Sequence, residues 1–187
     1  MEQIADKKRK SYQLLVVEDD TDTLDLLREL FVEDGYDVIT AKDGAAAIQI
    51  AHGADIDLIL ADYRLPDMTG TQLLESLKSS HTEAIRMIMT GYAEVSVAMD
   101  AINRGKVYKF ITKPLNLEDL KVIVRRALEH LDALREKKRL EKEVVQYSRF
   151  LEKQVNTRTA SLLAKASLSV PSYAISMNCM RTSGSTK

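Results

Sequence analysis

Four separated stretches of this chain end in residues whose chemistry exceeds what folding asks of them. They are Glu18, Asp19 and Asp20 in "LLVVEDD", Asp62 in "DLILADYRLPDMTG", Thr90 in "MIMTGY" and Lys113 in "KFITKPLNLEDL". Clustered carboxylates repel one another unless a cation neutralises them. Hard oxygen ligands without histidine or cysteine suit Mg²⁺, or Mn²⁺ in its place, and Mg²⁺ takes one or two carboxylates while keeping waters and a phosphate oxygen. Asp19 and Asp62 are the expected ligands, with Glu18 as their outer partner and a backbone carbonyl near Arg64 completing the set. The Thr90 hydroxyl and Lys113 ammonium suit an anion, and phosphoryl transfer needs such a clamp on its spreading charge. No Walker-type glycine loop is present, so the phosphate is expected on another molecule, with a side chain as acceptor. Asp62 is the candidate nucleophile, since carboxylates form phosphoryl intermediates.

Short apolar runs must bring these residues together. Strands are predicted over Tyr12 to Val17, Tyr36 to Ala41, Ile56 to Ala61, Ala84 to Met89 and Val107 to Ile111. Between them, Leu24, Leu27, Leu30 and Phe31 recur at helical spacing before Gly35, and Ala45 to Ala51 is a small-residue helix ended by Gly53. Leu73, Leu74 and Leu77 mark a third helix; Val97, Ala98, Ala101 and Ile102, ended by Gly105, mark a fourth. A fifth starts at "NLEDL", where Asn116 and Asp119 imitate a capping box. Strand-then-helix units in this succession imply an α/β fold with a parallel sheet, right-handed crossovers and helices on both faces. The ligand crevice of such a sheet lies outside the carboxyl ends of its strands. Each residue of interest falls just past such an end.

The C-terminal part reads differently. The fifth helix should extend into a long C-terminal helix: Leu120, Val124, Ala127, Leu131 and Leu134 follow a 4-3 spacing that fails at Lys138 and Glu141, and a shifted register resumes with Val144, Tyr147 and Leu151. Such a broken seam fits either a coiled coil, and hence a homodimer through residues 117–165, or one extended solvated helix. The expected organisation is a basic N-terminal tail over 1–10 containing "KKRK", a domain over 11–130, a helical linker over 131–165 and a disordered tail over 166–187. No Asp or Glu follows Glu152, a composition shift that points to a truncated or frame-shifted end.

Lys and Arg number 27 against 28 acidic residues, so no general field attracts nucleic acid or anionic membrane. With a single cysteine, Cys179, an internal disulfide is excluded, and scattered histidines disfavour zinc. The chain has neither a membrane-length apolar run nor a signal-peptide core, and a cytoplasmic address is expected.

The four quoted stretches, in this order, resemble the receiver domain of two-component response regulators, a likeness that covers about residues 11 to 130. It implies a five-stranded parallel sheet of order 2-1-3-4-5. It also implies that Asp62 accepts a phosphoryl group from a phosphohistidine on a sensor histidine kinase or phosphotransfer protein, or from a small donor such as acetyl phosphate. Glu18 and Asp19 match the family's acidic pair, Thr90 its switch hydroxyl, Lys113 its phosphate-pairing lysine, and Phe110 its switch aromatic. Arg64 and Tyr92 match positions that tune hydrolysis of the aspartyl phosphate, and the bond from Lys113 to Pro114 is expected to be cis. The implied activity is that of a switch, not an enzyme, apart from catalysing its own phosphorylation and dephosphorylation.

Each residue also has a plainer reading: Asp62 as a turn or cap, Thr90 as part of a turn, Lys113 as surface, Phe110 as core. Their conjunction at successive strand ends favours the receiver. Other functions meet specific obstacles. A haloacid dehalogenase-type hydrolase expects an Asp where Arg64 stands, and a DNA-binding regulator needs a helix-turn-helix pattern that the tail lacks. The alternative is a fragment of a larger regulator, since "LEKQVNTRTASLLAK" resembles connectors that precede cyclic-dinucleotide or kinase modules.

Overall fold

Runs of β-branched and long aliphatic residues, too short for helices, form the strands, and the inner three are buried on both faces almost throughout, as the centre of a parallel sheet requires. The structure, a computed structural model, describes residues 12–91 and 107–167. The strands are β1 (Gln13–Val17), β2 (Asp37–Ala41), β3 (Leu58–Asp62), β4 (Ile85–Thr90) and β5 (Lys109–Thr112). All pair in parallel, in the order β2-β1-β3-β4-β5. The described helices are α1 (Thr21–Glu33), α2 (Gly44–His52), α3 (Gly70–Leu77) and α4 (Leu117–Ser167). The expected helix around Val97 to Gly105, the N-terminal tail and the tail beyond Ser167 lie outside the described residues.

Side-chain alternation sorts the core into two layers. Leu14, Val16, Leu58, Leu60, Met87 and Ile111 meet Leu24, Leu27 and Phe31 of α1 and Leu120, Val124 and Leu131 of α4. On the opposite face, Leu15, Val17, Ile59 and Ile88 meet Ala47 of α2 and Leu73, Leu74 and Leu77 of α3. Each fully buried Leu in these layers contributes roughly 1.5–3 kcal/mol. Central β3 is buried throughout.

Three boundaries differ from the sequence reading in a way that bears on the site. Strands β3, β4 and β5 each run one residue further, so Asp62 and Thr90 are themselves the last strand residues, held by ladder pairing instead of hanging in a loop. The reciprocal capping box lies at Thr69 and Gln72 of α3. At α4, the Asn116 side chain accepts from the N–H groups of Glu118 and Asp119, which is the N-cap half of the expected arrangement.

The chain divides into two compact units, residues 1–136 and 137–187. In the first, Leu120, Val124, Ala127 and Leu131 of the 4-3 stripe are buried against this domain's own sheet. A seam running through 117–165 is therefore corrected, because its first turns are already packed and cannot also receive a partner. In the second unit, residues 137–165 of α4 are solvent-exposed, Leu140, Val144, Tyr147, Phe150 and Leu151 included. Among the described residues, no helix is long and apolar enough to cross a membrane.

Candidate functional site

Because the strands run parallel, their carboxyl ends share one rim, and it gathers Glu18 from the end of β1, Asp62 from β3, Thr90 from β4 and Lys113 from just past β5. Asp62 is 8% exposed and Glu18 1%, whereas Asp19 faces solvent. One carboxylate oxygen from each of Glu18, Asp19 and Asp62 lies within 4.8 Å of the others. Lys113 Nζ donates to Glu18 Oε2 at 2.8 Å and stands 3.0 Å from Asp62 Oδ1. One ammonium thus bridges two buried carboxylates while a third stands beside them.

The electrostatics follow from burial and crowding. Burial pushes the Glu18 carboxyl above its ordinary range, with the Asp62 charge adding to the rise and the Lys113 hydrogen bond opposing it. For Lys113, burial alone would depress the ammonium, but the bonds to Glu18 and Asp62 outweigh it and the pKa rises. The donor set is all oxygen, clustered and short of positive charge, which fits Mg²⁺.

The remaining predicted residues surround this cluster. Thr90 is fully buried and follows Met89, the register partner of Asp62. Its carbonyl accepts from the Lys113 N–H at 2.8 Å, tying the hydroxyl-bearing and lysine-bearing ends together. Phe110, half-buried, pairs with Ile88 and packs against the α2/α3 layer. The Lys113–Pro114 peptide is cis. Arg64 is exposed and bridges to Thr69, closing the β3–α3 loop. Gly70 lets this loop turn back tightly: a Cβ there would collide with the Asp62 carbonyl oxygen and come within 2.9 Å of Ile88 Cδ1. Asp20 stays out of the cluster, since its carboxylate caps α1 by accepting from the Thr23 N–H at 2.8 Å. Tyr92 lies outside the described residues.

Two carboxylates escaped the sequence reading. Asp57, just before β3, is 1% exposed and bound by Arg135 Nη1 at 2.6 Å and the Gln13 N–H at 2.9 Å. Asp67 binds the start of α2. Neither had a local signal, because their partners lie tens of residues away in sequence.

Residues 14–125 match the family model described as the response regulator receiver domain. Over 117 residues the chain is 32% identical to regulatory protein AtoC of Escherichia coli K12, a match covering 63% of this chain and 25% of AtoC. It is 33% identical over 132 residues to nitrogen assimilation regulatory protein NtrX of Azorhizobium caulinodans, covering 70% of this chain and 29% of NtrX. The matched part is thus little more than a quarter of these relatives. A CheY-like receiver domain protein from Methanospirillum hungatei superposes with a TM-score of 0.63 at 28% identity, covering 66% of this chain and 98% of that one. With the five-stranded order, the rim of carboxylates and a family match over most of the described domain, the chain belongs to the response regulator receiver domain family of two-component systems.

Proposed function

We propose that this chain is a phospho-accepting switch in which Asp62 takes a phosphoryl group from a phosphohistidine of a sensor histidine kinase or phosphotransfer protein, and a changed protein-binding surface is the output. The observation that carries the reading is the convergence of Asp62, Glu18 and Asp19 within 4.8 Å, with Lys113 reaching both buried acids. An Asp62 oxygen attacks phosphorus; the O–P bond forms as the P–N bond to the donor imidazole breaks, and the departing nitrogen keeps the electron pair. Glu18, Asp19, Asp62 and the Arg64 backbone carbonyl would hold Mg²⁺, which supplies charge neutralisation at the phosphoryl oxygens. Lys113 then exchanges part of its pairing with Asp62 for the new phosphoryl oxygens, and the Thr90 hydroxyl turns toward them. Space vacated by Thr90 admits Phe110, which turns inward and alters the face around β4 and β5. Arg64 and Tyr92 are the proposed tuners of phosphoryl lifetime.

Intact mass after incubation with acetyl phosphate tests the acceptor. Wild type with Mg²⁺ is expected to gain ~80 Da, one phosphoryl group; Asp62→Asn, or wild type without metal, is expected to gain nothing. Absence of an adduct from both acetyl phosphate and a phosphohistidine donor would overturn the reading. For the second unit, the proposed partner of the exposed Leu140, Val144, Tyr147 and Leu151 is a second copy of the chain. Sedimentation at tens of micromolar should return a dimer, and a monomer would refute it.

A further inference from the structure

Asp67 sits in the β3–α3 loop, and both of its carboxylate oxygens are engaged by another segment. Oδ1 accepts from the Gly44 N–H and Oδ2 from the Ala45 N–H, each at 2.9 Å. Helix α2 already has a local cap, because the Asp43 side chain accepts from the Ala46 N–H at 2.7 Å. The first donors of α2 are therefore shared between its own cap and a residue from a different loop. Packing reinforces the tie: a Cβ at Gly44 would come within 2.5 Å of Met68 Sδ, so the loop seats directly on the α2 backbone.

The tie closes a ring through the candidate site. On one side the Glu18 N–H donates to the Ala41 carbonyl at 3.1 Å, and Lys42 Nζ donates to Thr21 Oγ1 at 3.1 Å, fixing the approach to α2 beside the acid pair. On the other side the loop's base is held by Tyr63 N–H to Met89 O and Gly70 N–H to Tyr63 O, both at 2.8 Å. Between these anchors, Asp67 links the segment of Glu18 and Asp19, through α2, to the segment of Asp62 and Arg64. The strand ends that carry Glu18 and Asp62 are already joined by the β1–β3 ladder and by Lys113, so what the Asp67 bonds add is to hold the β3–α3 loop, with the Arg64 carbonyl, against the start of α2.

We infer that Asp67 is a positioning residue for the cation site, fixing the β3–α3 loop and its Arg64 carbonyl relative to the paired ends of β1 and β3 without touching the metal itself. The inference rests on the metal-dependent phospho-acceptor reading above. Its test is Mn²⁺ binding by the full chain, followed through the electron paramagnetic resonance signal of free Mn²⁺, with thermal melting in metal-free buffer alongside. Asp67→Ala should bind Mn²⁺ about ten-fold more weakly, the loss typical when a group supporting metal ligands is removed. Asp67→Asn, which keeps one acceptor oxygen, should fall between it and wild type. Asp43→Ala serves as the control: it removes a cap from the same helix and should lower the melting temperature comparably while leaving Mn²⁺ affinity within about two-fold. At saturating Mn²⁺, Asp67→Ala should reach the wild-type extent of phosphorylation by acetyl phosphate. Equal affinity losses in Asp67→Ala and Asp43→Ala, or none in Asp67→Ala, would overturn the inference alone. Wild type that binds no Mn²⁺ would overturn the metal reading and the inference together.

Discussion

Asp57 and Asp62 bracket the same central strand, one just before β3 and the other at its end, and they have opposite fates. Both are buried and both meet a basic side chain, Arg135 at 2.6 Å and Lys113 at 3.0 Å. The surroundings separate them. Asp57 receives a guanidinium and the Gln13 N–H, and Arg135 reaches Glu83 at 3.5 Å as well. At the other end one ammonium serves both Glu18 and Asp62 while Asp19 adds further negative charge. Saturating a buried carboxylate makes it a structural pin; leaving its neighbourhood short of positive charge suits it to the cation-binding and phosphoryl-accepting roles proposed for Asp62.

Removing the cation at each end should separate these roles. Arg135→Met leaves the Asp57 carboxylate buried without its guanidinium, and urea unfolding is expected to show a loss of about 3 kcal/mol, the scale for breaking a buried pair from one side. The folded fraction should still accept phosphate from acetyl phosphate at the wild-type rate. Lys113→Met should do the reverse, costing about 1–2 kcal/mol because solvent and Mg²⁺ reach that rim, yet slowing adduct formation at least ten-fold by intact mass. If Arg135→Met slowed phosphorylation as much as Lys113→Met, the two ends of β3 would not be independent and the comparison would fail.

The smallest effect belongs to Tyr12, whose hydroxyl donates to Asp132 of α4 in the same unit. That hydrogen bond, helped by burial, raises the Tyr12 pKa to about 12 from the ordinary 10.0. A raised folded pKa means the contribution is fully present below the unfolded value and is lost as pH climbs through the folded one. Tyr12→Phe should therefore cost about 1 kcal/mol near neutral pH. The gap between the two proteins should close as pH rises above 10 toward 12, measured by urea unfolding across that window.

The sheet and the convergence of Glu18, Asp19, Asp62, Thr90 and Lys113 on one rim were legible because local pattern carries both. Aliphatic runs announce strands, and a parallel sheet puts whatever follows them on one edge. Asp57 and Asp67 were not legible for the same physical reason: their partners are Arg135 and the Gly44 and Ala45 N–H groups, and no spacing rule links residues so far apart in sequence. The capping box of α3 has a local signature, Thr69 and Gln72 three apart, of the same kind as the one Asn116 offers at α4. The stripe through Leu120 to Leu131 was correctly periodic, but periodicity does not say whether a helix's apolar face meets its own sheet or another chain.

The placement of β3 sets how a phosphoryl group can be felt. This strand has ladder partners on both sides and is buried along its whole length, whereas among the described strands β5 pairs with β4 alone. Backbone amides of β3 are thus expected to exchange their hydrogens for deuterium last, at the rate of global opening, and those of β5 much sooner. If Asp62 is the acceptor, as proposed, it is mounted on the firmest strand of the sheet, and a displacement brought by phosphorylation should be spent at the compliant β5 edge rather than in β3 itself.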